Sequence, residues 1–341
     1  MQQSSTIILG IESSCDDTAA AIIKDGKILA NIIANQDIHK AYGGVVPELA
    51  SRAHQQNIVP VVDAALKKAG IDKKAICAVA YTNGPGLLGS LLVGSSFAKA
   101  FALGLNIPTI EVNHMHGHIL AHFIEEEDGT SNKPTFPFLC LTVSGGHTQI
   151  VKITDYFEMK VIGETIDDAA GEAFDKVAKM LSLPYPGGPL LDKYAQLGNP
   201  NRFEFPHPRV KDLNFSFSGL KTSVLYFLKK ELAENENFIT ENLNDICASV
   251  QKTIVDILMV NLKKAAKKTG INQIAIAGGV SANSELRKRL LALEKENYKV
   301  FIPKFEYCTD NAGMIAITGY HHYLQQNFGT QQSVPNARMK V

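Results

Sequence analysis

The sequence predicts an α/β protein built as two similar lobes, and three observations predict it. The chain has 341 residues, beyond the size at which one hydrophobic core usually stops growing. Short apolar runs alternate with longer apolar or amphipathic stretches, as strands mixed with helices require. One script also occurs twice: a strand, a polar turn, two further strands, a helix, a strand and a helix. The repeat is one of layout rather than of residue identity. It places a polar turn at the same point of each lobe, on either side of an expected cleft.

The first lobe opens with an apolar run at 6–11, the polar cluster Glu12-Ser13-Ser14-Cys15-Asp16-Asp17-Thr18 and a second run at 19–23. Asp25-Gly26 separates that run from a third at 28–33, and Asp-Gly between short apolar runs signals a hairpin. A helix is expected around 46–66 and a strand at 75–82, leading into the loop Asn83-Gly84-Pro85-Gly86. Residues 87–103 read as a long buried helix; Ser90, Gly94, Ser95 and Ser96 allow close packing and Gly104 stops it. The acidic, then polar, segment 125–133 is the expected link between lobes. In the second lobe a strand at 138–143 meets the turn Ser144-Gly145-Gly146-His147-Thr148, and strands return at 149–153 and 156–163. Helices are expected at 169–181 and 242–268, and a buried strand at 274–277 runs through Gly278-Gly279-Val280-Ser281-Ala282-Asn283 into another helix. Residues 183–189 read as rigid Pro- and Gly-rich loop, and 199–217 as an irregular insertion. The expected lobes are 1–130, completed by a C-terminal helix within about 310–341, and 131–309.

Composition narrows the function classes. Lys and Arg number 34, as do Asp and Glu, which excludes a generally basic nucleic-acid coat and leaves only local patches. Those are Lys263, Lys264, Lys267 and Lys268, and Arg287, Lys288 and Arg289. Hydrophobic content of 45% with 20% charge excludes wholesale disorder. Five dispersed cysteines without a CxxC pair argue against a disulfide framework and a zinc ribbon. The first apolar run stops at Glu12, too short for a signal peptide. No run reaches roughly 18 apolar residues, so no membrane span is expected and the cytoplasm is the expected location.

The sharpest chemical signal is Asn113-His114-Met115-His116-Gly117-His118. His114 and His118 are four apart, so on a helix both imidazoles share one face and can hold one metal ion, while His116 points away. The alternative is a helix start whose histidines only cap and hydrogen-bond. Imidazole suits zinc, iron, nickel and copper alike. Met115 stands where a zincin carries its general base, which disfavours that protease class. Asp310, ahead of a helix, is the candidate third ligand or a simple N-cap; two His and one carboxylate would leave positions open for substrate oxygens. The turns at Ser144–Gly146 and at Gly278-Gly279 offer backbone N–H groups to an anion. Neither has the P-loop or dinucleotide pattern. Asp16 and Asp17 are candidates to bind a cation, orient substrate or act as a base, or are solvated hairpin residues. Glu172, Asp175 and Lys176 read first as capping and i,i+4 pairing.

These motifs, with Gly43-Gly44-Val45-Val46-Pro47-Glu48, the run from Ile166 to Asp175, Tyr185-Pro186-Gly187-Gly188-Pro189 and Phe215-Ser216-Phe217-Ser218-Gly219-Leu220-Lys221-Thr222, resemble over nearly the whole chain the TsaD family. Its members are tRNA N6-adenosine threonylcarbamoyltransferases, once labelled O-sialoglycoprotein endopeptidases. The resemblance implies the actin-like ATPase (ASKHA) fold, two ribonuclease-H-like lobes around a central cleft. It implies transfer of threonylcarbamoyl from threonylcarbamoyl-AMP to N6 of adenosine 37 in tRNAs reading A-starting codons, with release of AMP. By motif match His114, His118 and Asp310 would hold one divalent metal ion, Fe(2+) first and Zn(2+) as the alternative. Thr142, Val143, Ser144, Gly145, Gly146, Asp175, Gly188, Asp192 and Asn283 would contact the adenylate, and Asp16 and Asp17 would be the catalytic acids. Many relatives have Glu where this chain has Asp17, and Glu where it has His116. The Glu-Ser-Ser-Cys-Asp form favours the bacterial version, which works with the paralogue TsaB and the ATPase TsaE. Two other readings share the fold: an actin-fold kinase of small metabolites, which gives the His pair no task, and a non-catalytic scaffold, against which the intact ligand set argues.

Overall fold

The computed structural model describes residues 5–36, 39, 42–126, 133–208 and 210–341. They divide into two compact units, Met1–Pro134 with Pro303–Val341, and Thr135–Ile302.

In the first unit β1 (Ile7–Glu12) is buried at every position, as a strand covered on both faces must be. β2 (Thr18–Lys24) pairs antiparallel with it. Asp25 and Gly26 both take positive φ, 51° and 85°, the geometry of a two-residue hairpin, and β3 (Lys27–Ala34) follows. α1 (Pro47–Ala69) starts on a proline and stops at left-handed Gly70. β4 (Ala78–Gly84) lies parallel to β1. α2 (Leu88–Leu105) runs through Gly104, the expected stop, because Asn106 supplies the left-handed residue that closes it. β5 (Thr109–Asn113) pairs parallel with β4 and passes directly into α3 (His114–Leu120). The strand order is β3-β2-β1-β4-β5.

The second unit repeats this order. β6 (Phe138–Val143), β7 (Thr148–Asp155) and β8 (Glu158–Glu164) form the antiparallel meander. α4 (Ala170–Met180), α5 (Gly187–Ala195), α6 (Ser218–Glu234) and α7 (Phe238–Thr269) precede β9 (Gln273–Ala277), which is parallel to β6. α8 (Ser284–Ala292) and β10 (Lys299–Phe301) complete the order β10-β9-β6-β7-β8. The repeated layout of the sequence is therefore a repeated sheet topology. α9 (Ala312–Leu324) belongs to the first unit. It crosses β1 at Gly10, where a β-carbon would stand 2.6 Å from the Ala312 carbonyl oxygen.

Each unit has its own core, Leu9, Ile11, Ile22, Val79 and Tyr81 in the first, and Leu139, Leu141, Phe215, Phe217, Ile254 and Leu258 in the second. Residues 183–189 do not stay a loop, since α5 begins at Gly187 and carries Pro189 in its first turn, where no intrahelical N–H is required. α5, α6, β5 and β10 had no counterpart in the expected elements. The expected link at 125–133 lies largely outside the described residues. Among the described helices α2 matches a membrane span in length and composition, although the sequence led us to expect no span. It turns Ser90, Leu91, Gly94, Ser95, Ala98 and Ala102 inward and leaves Leu88, Leu92 and Leu103 exposed.

Candidate functional site

α3 starts where β5 ends, and Asn113 makes the junction: its side-chain oxygen accepts from the N–H groups of Met115 and His116. That fixes His114 in the first turn and His118 one turn on, with the rings 4.7 Å apart and nearly perpendicular. His114 Nε2 lies 3.4 Å from Asp310 Oδ1 and His118 Nε2 3.2 Å from the same oxygen. Donors held about 2.1 Å from a tetrahedral ion stand roughly 3.4 Å apart, so the three side chains fit one metal ion. His118 Nδ1 is buried without a hydrogen-bond partner among the described residues, so this ring is held only through Nε2. Asp310 does not cap α9, because Asn311 does, accepting from Met314 N–H. His116 is not among the three converging groups, and burial pushes its pKa down to about 4.

Sequence reasoning passed over Glu12. This fully buried carboxylate accepts from Ser14 N–H at 2.5 Å and from the Thr82 hydroxyl at 2.6 Å, and its Oε2 lies 3.1 Å from His114 Nδ1. A carboxylate behind a ligating imidazole fixes its tautomer and orientation. Burial opposes charge on His114, yet Asp310 and Glu12 together hold its pKa well above the ordinary value. Burial likewise opposes the Asp310 charge, and His114 and then His118 outweigh it, holding the carboxyl far below the ordinary range. The one available signal for Glu12 was an acid at the end of an otherwise apolar strand. Asp16 and Asp17 lie half-buried in the loop between β1 and β2. Burial first, then the charges of Asp16, Asp310 and Glu12, raise Asp17 from 3.8 to about 7. Burial and Asp16 push the Cys15 thiol far up, which removes it as a nucleophile.

In the second unit the expected adenylate residues fall at the end of β6, on the turn after it, within α4 and α5, and at the start of α8. Thr142 and Val143 are buried at the end of β6. The Ser144 N–H donates to the His147 carbonyl and the Ser144 hydroxyl accepts from His147 N–H. The turn leaves Gly145 and Gly146 exposed, with no room taken beside their α-carbons. Gly171 is pressed against the Ser144 carbonyl, which holds α4 under the turn. Asp175 accepts from Gly187 N–H at 3.0 Å and Gly188 N–H at 2.9 Å, so it caps α5 from α4. Asp192 on α5 accepts from the Ser284 hydroxyl at 2.6 Å and Ser284 N–H at 3.2 Å. Asn283 caps α8 through Leu286 N–H and donates to Gln251. Asp175, Gly188, Asp192 and Asn283 are thus joined through α5. Glu172 and Lys176 form the i,i+4 pair expected, with Asp168 as a second acid on Lys176.

The family model for "TsaD: tRNA N6-adenosine threonylcarbamoyltransferase" matches residues 27–317. A curated protein of that name from Christiangramia forsetii is 66% identical over 334 residues, 98% of each chain. The chain belongs to this family. Relatives of the same name from Cytophaga hutchinsonii (59% identical, 100% of this chain and 98% of the relative) and Thermosipho africanus (50%, 98% and 100%) span it as fully. Among solved structures, HypF in a phosphate- and nucleotide-bound form matches at a TM-score of 0.63 and 15% identity, over 96% of this chain and 48% of its own. Component A of the Acidaminococcus fermentans (R)-2-hydroxyglutaryl-CoA dehydratase matches at 0.52 and 14%, over 94% and 100%. These likenesses show the fold, the actin-like ATPase fold expected of the TsaD family.

Proposed function

We propose that this chain transfers threonylcarbamoyl from threonylcarbamoyl-AMP to N6 of adenosine 37 in tRNA, with AMP as leaving group. The observation that carries the reading is the convergence of His114 and His118 on one oxygen of Asp310, in a chain of this family. N6 of adenine is a weak nucleophile because its lone pair is delocalised into the ring, so the acyl group has to arrive activated, and a mixed anhydride with phosphate is activated. Attack forms the N6–carbonyl bond, the bond from that carbonyl to the phosphate oxygen breaks, and N6 gives up a proton. Asp17, with a pKa of about 7, is suited to accept it, with Asp16 beside it. The N–H groups of Gly145 and Gly146 are suited to the phosphate, and Asp175, Gly188, Asp192 and Asn283 to the rest of the adenylate. Thr142, Val143 and Ser144 shape that turn from β6.

His114, His118 and Asp310 would hold one divalent ion, Fe(2+) or Zn(2+) by their chemistry. Bound there, the ion supplies Lewis acidity to a phosphate or carbonyl oxygen. Glu12 keeps His114 aimed. A kinase reading leaves these four side chains without a task. TsaB and TsaE are the proposed partners in the cytoplasm, and the exposed Leu88, Leu92 and Leu103 of α2 support docking of a protein there. Five free cysteines suit a reducing compartment.

Metal analysis with a reconstituted assay tests the reading. Wild-type chain with both partners, tRNA and threonylcarbamoyl-AMP forms the modified adenosine and carries one ion per chain. Asp310→Ala loses the ion and at least about 100-fold in activity. Full activity of stringently metal-free wild type would overturn the metal role, and absence of modified adenosine the reaction.

A further inference from the structure

After α9 the chain runs along β5 and across the end of β4 as an irregular strap. Gly329 N–H donates to the Thr109 carbonyl at 2.8 Å, and the Ser333 hydroxyl bonds the Glu111 carboxylate. Asn336 N–H donates to the Asn83 carbonyl at 2.8 Å, and the Ala337 carbonyl accepts from Gly86 N–H at 3.3 Å. Gly84 permits the crossing, because a β-carbon there would overlap the Asn336 carbonyl, and its φ of 152° already favours glycine. The last attachment is the informative one. The Lys340 carbonyl accepts from Asn113 Nδ2 at 2.8 Å. The same Asn113 amide caps α3 through its oxygen.

One side chain therefore joins the strap to the helix that carries His114 and His118. α3 has seven residues, too short to be a stable helix by itself, so its first turn depends on how the cap is held. An amide free to turn over would offer Nδ2 to Met115 and His116 in place of the oxygen, and the cap would be lost. The Lys340 carbonyl selects the orientation in which the oxygen faces the helix.

We propose that the strap 329–340 is a positioning element for the metal ligands, acting through Asn113. It rests on the reading of His114, His118 and Asp310 as ligands. Neither Asn113 nor Lys340 is a ligand; they set the angle at which the two imidazoles meet Asp310.

Zn(2+) affinity, measured by competition with a chromophoric chelator, tests it on three variants of the full chain. Deleting 338–341 is expected to weaken Zn(2+) roughly tenfold, the scale seen when groups that orient ligands are removed. Asn113→Asp keeps a cap oxygen and loses the N–H to Lys340. It should lose about the same, with the melting temperature of the metal-free protein unchanged, although its added charge alone would favour a cation. The two changes combined should cost no more than either one, because they break the same link. Affinities within twofold of wild type, or losses that simply add, overturn the strap's role. Wild type that binds no Zn(2+) overturns the ligand reading, and the proposal with it.

Discussion

Glu12 shows how one buried group can serve a site without belonging to its obvious set. Its oxygens are engaged by Ser14 and Thr82, and the face it turns to His114 is what remains. Glu12→Gln keeps the shape but places an amide where an acceptor is needed, leaving a buried polar atom ill-matched. It should weaken metal binding by about 10- to 100-fold, read by chelator competition; an unchanged affinity would make Glu12 a packing residue. The His pair was legible from spacing alone, whereas Asp310 was open to a capping role until Asn311 was seen to fill it. Glu12 was not legible, because pattern reading treats an acid at a strand end as the solvent boundary. Asp17 has a consequence of opposite sign to most acids. Folding raises it from 3.8 to about 7, so the folded state binds the proton more tightly than the unfolded chain. Its contribution is complete below about pH 4 and is lost as pH rises through about 7. Asp17→Asn should therefore melt several degrees above metal-free wild type at pH 8 and level with it at pH 4. Parallel pH profiles would show that Asp17 titrates normally.

The elements divide by where their caps come from. β1–β3 and α1 carry their own signals: apolar runs, Asp25-Gly26, Pro47 and Gly70. α5 and α6 do not. α6 has no capping side chain of its own. Asp167 reaches it from 51 residues away, accepting from Phe217 N–H at 2.8 Å, from the Ser216 hydroxyl at 2.5 Å and from the Ser218 hydroxyl at 2.8 Å. α5 depends on Asp175 in the same way. Local pattern cannot reveal a start signal supplied by tertiary structure, which is why these two helices were missed while the repeated layout of strands and helices along the chain was anticipated. β5 was missed for another reason: nothing breaks the chain between it and α3. Asp167→Ala strands the amides and hydroxyls at the head of α6 and should cost about 2 kcal/mol or more in urea unfolding. A cost under about 0.5 kcal/mol would mean that water replaces the carboxylate. In the first unit α9 rests directly on Gly10. Gly10→Val should push α9 off β1 and lower the melting temperature by about 5 °C or more, from an overpacking cost of about 2 kcal/mol.

At the scale of the whole molecule, charge decides how it can hold a polyanion. The chain carries 34 basic and 34 acidic residues, and the balance extends to each unit: Thr135–Ile302 has 21 Lys and Arg against 19 Asp and Glu. Neither unit is a basic body. Many of the cations are also committed, as Arg289 and Lys252 are to Asp256 and Lys263 to Glu296. Lys264, Lys267 and Lys268, at the end of α7, are exposed and form no ion pair among the described residues. A tRNA substrate would therefore meet only a few local cations on this chain. Each phosphate neutralised adds roughly 0.7 to 0.9 to the slope of log affinity against log salt. The isolated chain should bind tRNA weakly at physiological salt and lose affinity steeply as salt rises. Replacing Lys264, Lys267 and Lys268 by Gln should flatten that slope by about 2 if α7 touches the backbone. An unchanged slope would move the contact elsewhere on the surface. Tight binding indifferent to salt would show that this chain reads tRNA through contacts other than phosphate.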